Sequence, residues 1–247
     1  MRRLESHAGT PLLIRKKTGV ELTHAGRTFL QHSEQVLREW NQLLSETRSS
    51  ASEVRGRFTI GCHPSVGQYA LPGFLPRLTQ AHPALELRLV HALSRHVTEA
   101  VIRHEIDFGI VVNPVSHPDL RIVTLGVDEV TLFTATGCLN ADLLIHDPEL
   151  AQSQSILARL KKDRSIFKRE IHSASLEVIA RLTAEGAGVG ILPSRVASAF
   201  KDLRPWKAPN GGAAPRLEDR ISLVYRTDSQ KTRASREIIA AISGCLK

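Results

Sequence analysis

Four small polar residues stand where a helix should begin or a strand should end: Ser65, Ser94, Ser153 and Asn113. A helix N-terminus offers free amides and the positive end of a dipole, so a hydroxyl beside it can help to hold a carboxylate or another anion. Each serine also reads as an N-cap that does no more than stabilise its helix, by about 1 kcal/mol. Ser65 differs from the others, because His63-Pro64-Ser65-Val66-Gly67 sets a titratable ring beside a small-residue turn. His63 either touches the ligand or senses pH, or it is an ordinary loop histidine. His104, His117 and His172 lack ligand spacing and read as surface residues. A second kind of chemistry resides in Arg15, Lys16 and Lys17, followed by the turn Thr18-Gly19: a protruding basic tip of this kind can meet phosphates. Nothing reads as a nucleophile or its base. There is no nucleophile elbow, HExxH or CxxC, and Glu105 and Asp107 on a strand edge are placed to pair or cap. The glycines of GAGVGILP (186–193) precede a strand instead of joining a strand to a helix, so they fail as a nucleotide loop and serve tight packing. The chain is therefore not expected to be an enzyme or to carry a metal or cofactor.

The elements that must position these residues follow from pattern. A helical tail ends at Ala8-Gly9, Leu12–Ile14 and Val20–Leu22 form a basic hairpin, and Thr23 caps a helix starting at His24. Phe29, Leu30, Val36, Leu37, Trp40, Leu43 and Leu44 recur at helical spacing as one continuous stripe, which calls for a partner helix. The polar stretch Glu46–Arg55 reads as a fraying helix end and a hinge. From Gly56 onward strands and helices alternate, the grammar of an α/β domain. Strands are expected at Phe58–Gly61, Leu85–Val90, Ile106–Val112, Val130–Thr134, Leu143–Ile145, Phe167–Ile171 and Ile221–Tyr225. Helices are expected at Tyr69–Ala81, Ser94–His104, Ser153–Lys162, Leu176–Glu185 and Arg233–Leu246.

Composition narrows the class. The 247 residues, 42% of them hydrophobic, suffice for one large or two medium domains. No apolar run long enough to span a membrane and no signal peptide are present, so the chain is expected in the cytoplasm. Cys62, Cys138 and Cys245 are odd in number and far apart, which fits packing residues and neither a disulfide framework nor a zinc site. A net charge of +8 and a pI near 9.8 favour an anionic partner, either nucleic acid or a small effector.

LESHAGTPLLIRKKTGVELTHAG (4–26), GRFTIG at Gly56, GQYALPGFLPRL at Gly67, EIDFGIV at Glu105 and SLEVIARLTAEGAGVGILP at Ser175 together resemble the LysR-type transcriptional regulators. The resemblance covers nearly the whole chain. It implies an α/β fold with a partial winged helix-turn-helix over 1–23 and a linker helix over 24–55. A two-lobed, periplasmic-binding-protein-like effector domain follows, one lobe from 56–128 plus 217–247 and the other from 129–216. Ser65 and Ser94 match ligand-contacting positions of the family, and Arg15, Lys16, Lys17 and Thr18 fall on its DNA-contacting wing. The stripe from Phe29 to Leu44 falls on its dimer helix. The implied partners are promoter DNA, a small effector that the basic composition allows to be anionic, and a second copy in a dimer or tetramer. Two departures stand out. TGCLNAD (136–142) is shorter than the family's usual segment, so the second lobe is trimmed. In the family the first helices and most of the recognition helix, which reads bases, precede the position of Arg2, so an N-terminally truncated regulator that keeps the end of that helix and the wing is expected, with weak, salt-sensitive DNA binding. The alternative is a ligand-sensing or interfering fragment without sequence-specific DNA binding.

Overall fold

The computed structural model describes residues 1–16, 19–48, 54–160, 166–208 and 214–246. Helix α1 (Arg2–Ala8) stops at Gly9, whose φ of 65° is the left-handed stop that glycine makes without strain. Strands β1 (Leu13–Lys16) and β2 (Gly19–Leu22) pair antiparallel, with Lys16 opposite Gly19. Gly19 is thus the first residue of the return strand rather than a turn residue, and Lys17 and Thr18 lie outside the described residues. The carboxylate of Glu5 accepts from the amides of Leu12 and Leu13, fixing the hairpin to α1. Thr23 caps α2 (His24–Arg48) as its residue type predicts: its Oγ1 accepts from the Gly26 amide at 2.8 Å and donates to the Pro11 carbonyl. At about 1.5 Å per residue this 25-residue helix is about 37 Å long. The middle of the expected hinge, residues 49–53, lies outside the described residues.

Val54 already belongs to the core of the α/β domain. The first lobe is a parallel run of β3 (Gly56–Cys62) between β4 (Leu85–His91) and β5 (Phe108–Val112). The helix expected over Tyr69–Ala81 is instead α3 (Pro64–Ala70), a short 3-10 turn and α4 (Leu75–Ala81). Proline opens each piece, which starts the first helix five residues early and divides the rest. α5 (Ser94–Ile102) completes this side. The second lobe holds β7 (Leu143–His146), α6 (Ala151–Leu160), β8 (Arg169–His172), α7 (Leu176–Ala184), β9 (Val189–Pro193), α8 (Ser194–Ala197) and β10 (Leu203–Pro205). Its core is Leu132, Leu144, Ile156 and Ile191 on one face, and Ile145, Ile179 and Leu192 on the other.

Two long antiparallel strands join the lobes. β6 (Leu120–Ala135) and β11 (Leu217–Arg226) run side by side through both, and a bulge at Leu125 shifts their register between Ile221 and Ser222. The expectation of a strand at Val130–Thr134 caught only the end of β6, because its first ten residues are, Leu120 apart, half-buried or exposed and include the charged Arg121, Asp128 and Glu129. α9 (Arg233–Ser243) then returns to the first lobe, burying Ile238 and Ile242. The order β4-β3-β5-β11-β6-β9-β7-β8 makes one continuous path across the molecule. Among the described residues no helix is long and apolar enough to cross a membrane.

Candidate effector-binding cleft

The carboxyl ends of β3, β5, β7 and β9 converge on one cavity of about 540 Å³ between the lobes. That is where an open α/β sheet leaves room for a ligand. Ser65, Ser94, Asn113, Ser153 and His63 all line it. Their roles differ from the sequence expectation. Ser65 lies in the first turn of α3 and not ahead of its helix; His63 is the N-cap, its Nδ1 accepting from the Ser65 amide at 3.3 Å. Burial holds the His63 pKa below its ordinary value, with Glu177 and Asp147 pulling the other way. The Ser65 hydroxyl is buried and has no hydrogen-bond partner. Ser94 is the first residue of α5, and its Oγ accepts from the Val112 amide at 3.0 Å. Ser153, fully buried, faces them from α6 of the second lobe.

Asn113 has a left-handed backbone, φ 49°, which asparagine tolerates better than most side chains. Its Oδ1 accepts from the Arg220 amide at 2.8 Å and its Nδ2 donates to Asp219 Oδ1 at 2.9 Å. The side-chain amide is therefore engaged in holding β5 against β11 and in positioning Asp219. Gln152, at the start of α6, donates to the other oxygen of Asp219 at 3.1 Å, so both lobes reach this one carboxylate.

Sequence reading missed the acids. Asp128 on β6 and Asp219 on β11 are directly opposite each other in the ladder, and both line the cavity. Like charges opposite one another on paired strands are destabilising. Asp219 is only 4% exposed, and burial pushes its pKa up to about 6 against the lowering effect of its two amide donors. Burial also raises Asp128, offset by the backbone amides of Glu129 and Arg195 and by the Arg195 charge. The Arg195 guanidinium lies 5.5 Å from the centre of the Tyr69 ring. Glu99 and Glu149 add two more acids at the lining. Arg95, a basic side chain of the lining, faces Glu149 at 3.5 Å. The cleft is thus acidic where the chain as a whole is basic. A signal was present in Asp128 and Asp219, each a charge within a strand-forming run, but without the register nothing pairs them. The apolar part of the lining comes from Val66, Leu93, Val130, Leu176, Ile191 and Val196.

GAGVGILP packs as expected: a Cβ on Gly188 would stand 2.6 Å from the Leu143 carbonyl oxygen. Residues 51–244 match the family model of the LysR substrate binding domain. The chain belongs to the LysR family. It is 26% identical over 250 residues to the HTH-type transcriptional regulator CzcR of Bacillus cereus, an alignment covering 98% of this chain and 85% of that protein. Among solved structures, a full-length OxyR variant from Pseudomonas aeruginosa superposes with a TM-score of 0.69 at 16% identity, covering all of this chain and 83% of the other. Full-length CbnR in complex with its target DNA superposes at 0.58 and 21%, covering 100% and 88%. This chain is a transcriptional regulator with an effector-binding domain of two lobes, not an enzyme.

Proposed function

We propose that this LysR regulator dimerises through α2, contacts DNA through its basic hairpin, and responds to an effector that carries a cationic or strongly hydrogen-bond-donating group on an apolar body. The observation that carries the effector class is the Asp128–Asp219 pair on the floor of the cleft. An ammonium or amidinium set between two carboxylates relieves their repulsion, whereas a carboxylate would add a third negative charge to a buried site. The apolar lining supplies the remaining contact. Because β6 and β11 join the lobes and carry both acids, an effector drawn to the pair acts where the lobes move against each other. Closure then shifts a pre-existing equilibrium according to differential affinity.

Support for DNA contact comes from Lys16 on β1 beside the wing tip, and from the fold shared with CbnR, a protein solved on its target DNA. Support for dimerisation is the exposed stripe on α2: Val36 is 63%, Leu37 60% and Trp40 55% exposed, and Leu30 is exposed with them. Phe29 is half-buried, and the side chains of Leu43 and Leu44 lie outside those described, as does that of Arg15.

Thermal shift with matched aryl-alkyl amines and aryl-alkyl carboxylates tests the effector class. Amines should raise Tm and carboxylates should not, since a ligand stabilises the state it binds; stabilisation by carboxylates alone would overturn the assignment. For DNA, a gel-shift series in salt should show weak binding by this chain that strengthens as salt falls, with little preference among sequences. Tight, sequence-selective binding would refute that reading, and no binding even at low salt would support a sensor without DNA contact.

A further inference from the structure

The second lobe holds a constellation that the cleft does not use. β7 and β8 are parallel neighbours with His146 in register with His172. Side chains alternate along a strand, so Glu170, two residues before His172, points to the same face. The three side chains converge: Glu170 Oε2 stands 3.4 Å from His146 Nε2 and 3.2 Å from His172 Nε2. All three atoms lie within 4.8 Å of one another, and the two rings meet edge to face at 4.9 Å. His146 is buried, while Glu170 and His172 open to solvent.

We propose that His146, Glu170 and His172 form a binding site for a divalent transition-metal ion of the zinc class. The distances suit the ion: ligands about 2.0–2.1 Å from a tetrahedral zinc stand about 3.3 Å from one another. Two edges of the triangle already have that length, and a small rotation of the exposed His172 ring closes the third. Two imidazoles with one carboxylate suit zinc, cobalt or nickel, whereas calcium and magnesium favour oxygen ligands throughout. The carboxylate also neutralises half of the ion's charge, and the solvent-facing side leaves the fourth position to water. His146 Nδ1 is buried without a hydrogen-bond partner, so this ligand lacks the outer support that typically adds 10–100-fold to metal affinity. The site is therefore one for a reversibly bound ion rather than a permanent structural one.

The ion would tie the edge strand β8 to the end of β7. From there the chain turns through Asp147, whose Oδ1 accepts from the Glu149 amide, into α6 and the wall of the cleft. Sequence spacing hides the set, because His146 and Glu170 are 24 positions apart and only the parallel pairing of β7 with β8 brings them together. His172, a surface residue by its sequence context, is thereby given a partner set.

The test uses the full chain stripped of metal with a chelator. Zinc affinity is read by competition with a colorimetric chelator, and site geometry by the visible absorption of added Co²⁺. We expect one equivalent bound by the parent chain and at least a 10-fold loss in His172→Ala and in Glu170→Gln. Both residues are exposed enough that the metal-free fold should keep its Tm. His117→Ala, at a half-buried histidine outside the set, should bind as the parent does. Absence of stoichiometric binding by the parent, or unchanged affinity in both site variants, would overturn the proposal.

Discussion

The arm and the sensor depart from the ordinary division of inside and outside in opposite directions. On α2 the apolar side chains Leu30, Val36, Leu37 and Trp40 face water. In the cleft the polar side chains His63, Ser65, Ser153 and Asp219 are buried. Exposed large apolar side chains in a row and buried polar groups are the two observations that call for an explanation in a folded protein. Here each points to a missing companion, and the companions differ in kind: an apolar stripe is completed by another helix, and a buried set of acids and hydroxyls by a small polar molecule. Within the sensor, α9 shows what completion looks like. It is amphipathic like α2, yet its Ile238 and Ile242 are fully covered by the first lobe.

The largest effect should come from disturbing the apolar face of each helix. Leu37→Asp should convert a dimer to a monomer by light scattering while leaving the Tm of the sensor within a degree or two, because an exposed site away from other contacts changes folding stability by about 0.5 kcal/mol or less. At Ile238 even the milder change to alanine should cost about 2–5 kcal/mol of folding stability, as a cavity in a closed core does. If Leu37→Asp lowered stability instead of assembly, the comparison between the two helices would fail.

Asp219 sharpens the other half. Its pKa rises from an ordinary 3.8 to about 6 in the fold, so between those values the folded state holds more protons than the unfolded state. Stability conferred by the protonated group is therefore present below about pH 4 and is lost as pH rises through about 6. Asp219→Asn should flatten that part of the stability profile and abolish stabilisation by aryl-alkyl amines. In the parent chain, amine binding should strengthen as pH rises through 6 and Asp219 ionises. An unchanged amine response in the variant would remove Asp219 from the site.

The two serines of the first lobe should then separate in direction. Ser94 Oγ accepts from the Val112 amide, so Ser94→Ala strands a backbone donor and should cost about 1–3 kcal/mol. Ser65→Ala removes a hydroxyl that has no partner in the fold, and should leave the unliganded protein as stable as the parent or more so while weakening effector binding. Denaturant unfolding of the two variants side by side decides it; equal losses would mean that Ser65 is an ordinary structural serine.

How much of this was legible beforehand depends on the range of the interaction. Local signals read well: the Gly9 stop, the Thr23 cap and the described part of the α2 stripe all follow from neighbours in sequence, and the five residues expected around the cleft line it. Long-range pairing did not read. Asp128 faces Asp219 because β6 and β11 run antiparallel past the bulge at Leu125, and His146 meets His172 through a parallel register; neither register is encoded in spacing along the chain. Asn113 was half legible. It stands where a strand ends, but its amide is committed to Arg220 and Asp219, and the acids of the cleft run against the chain's positive balance because net charge describes a surface and not a cavity.

The smallest expected effect returns to the arm. Lys16 Nζ lies 2.6 Å from Glu21 on the facing strand, and both side chains are well exposed, so the pair adds little to the hairpin's own stability. Its contribution should appear on DNA instead. Each phosphate neutralised by a lysine contributes about −0.9 to the slope of log affinity against log salt. If Lys16 makes one such contact, Lys16→Ala should make the slope shallower by about that amount, equally on unrelated sequences. Glu21→Ala, which frees the lysine from its neighbour, should move affinity the opposite way at low salt. If both variants weaken binding alike, the pair acts by holding the hairpin in shape; if neither changes the slope, the basic wing is a solvated surface, and the arm's open apolar stripe is then its sole incomplete feature among the described residues.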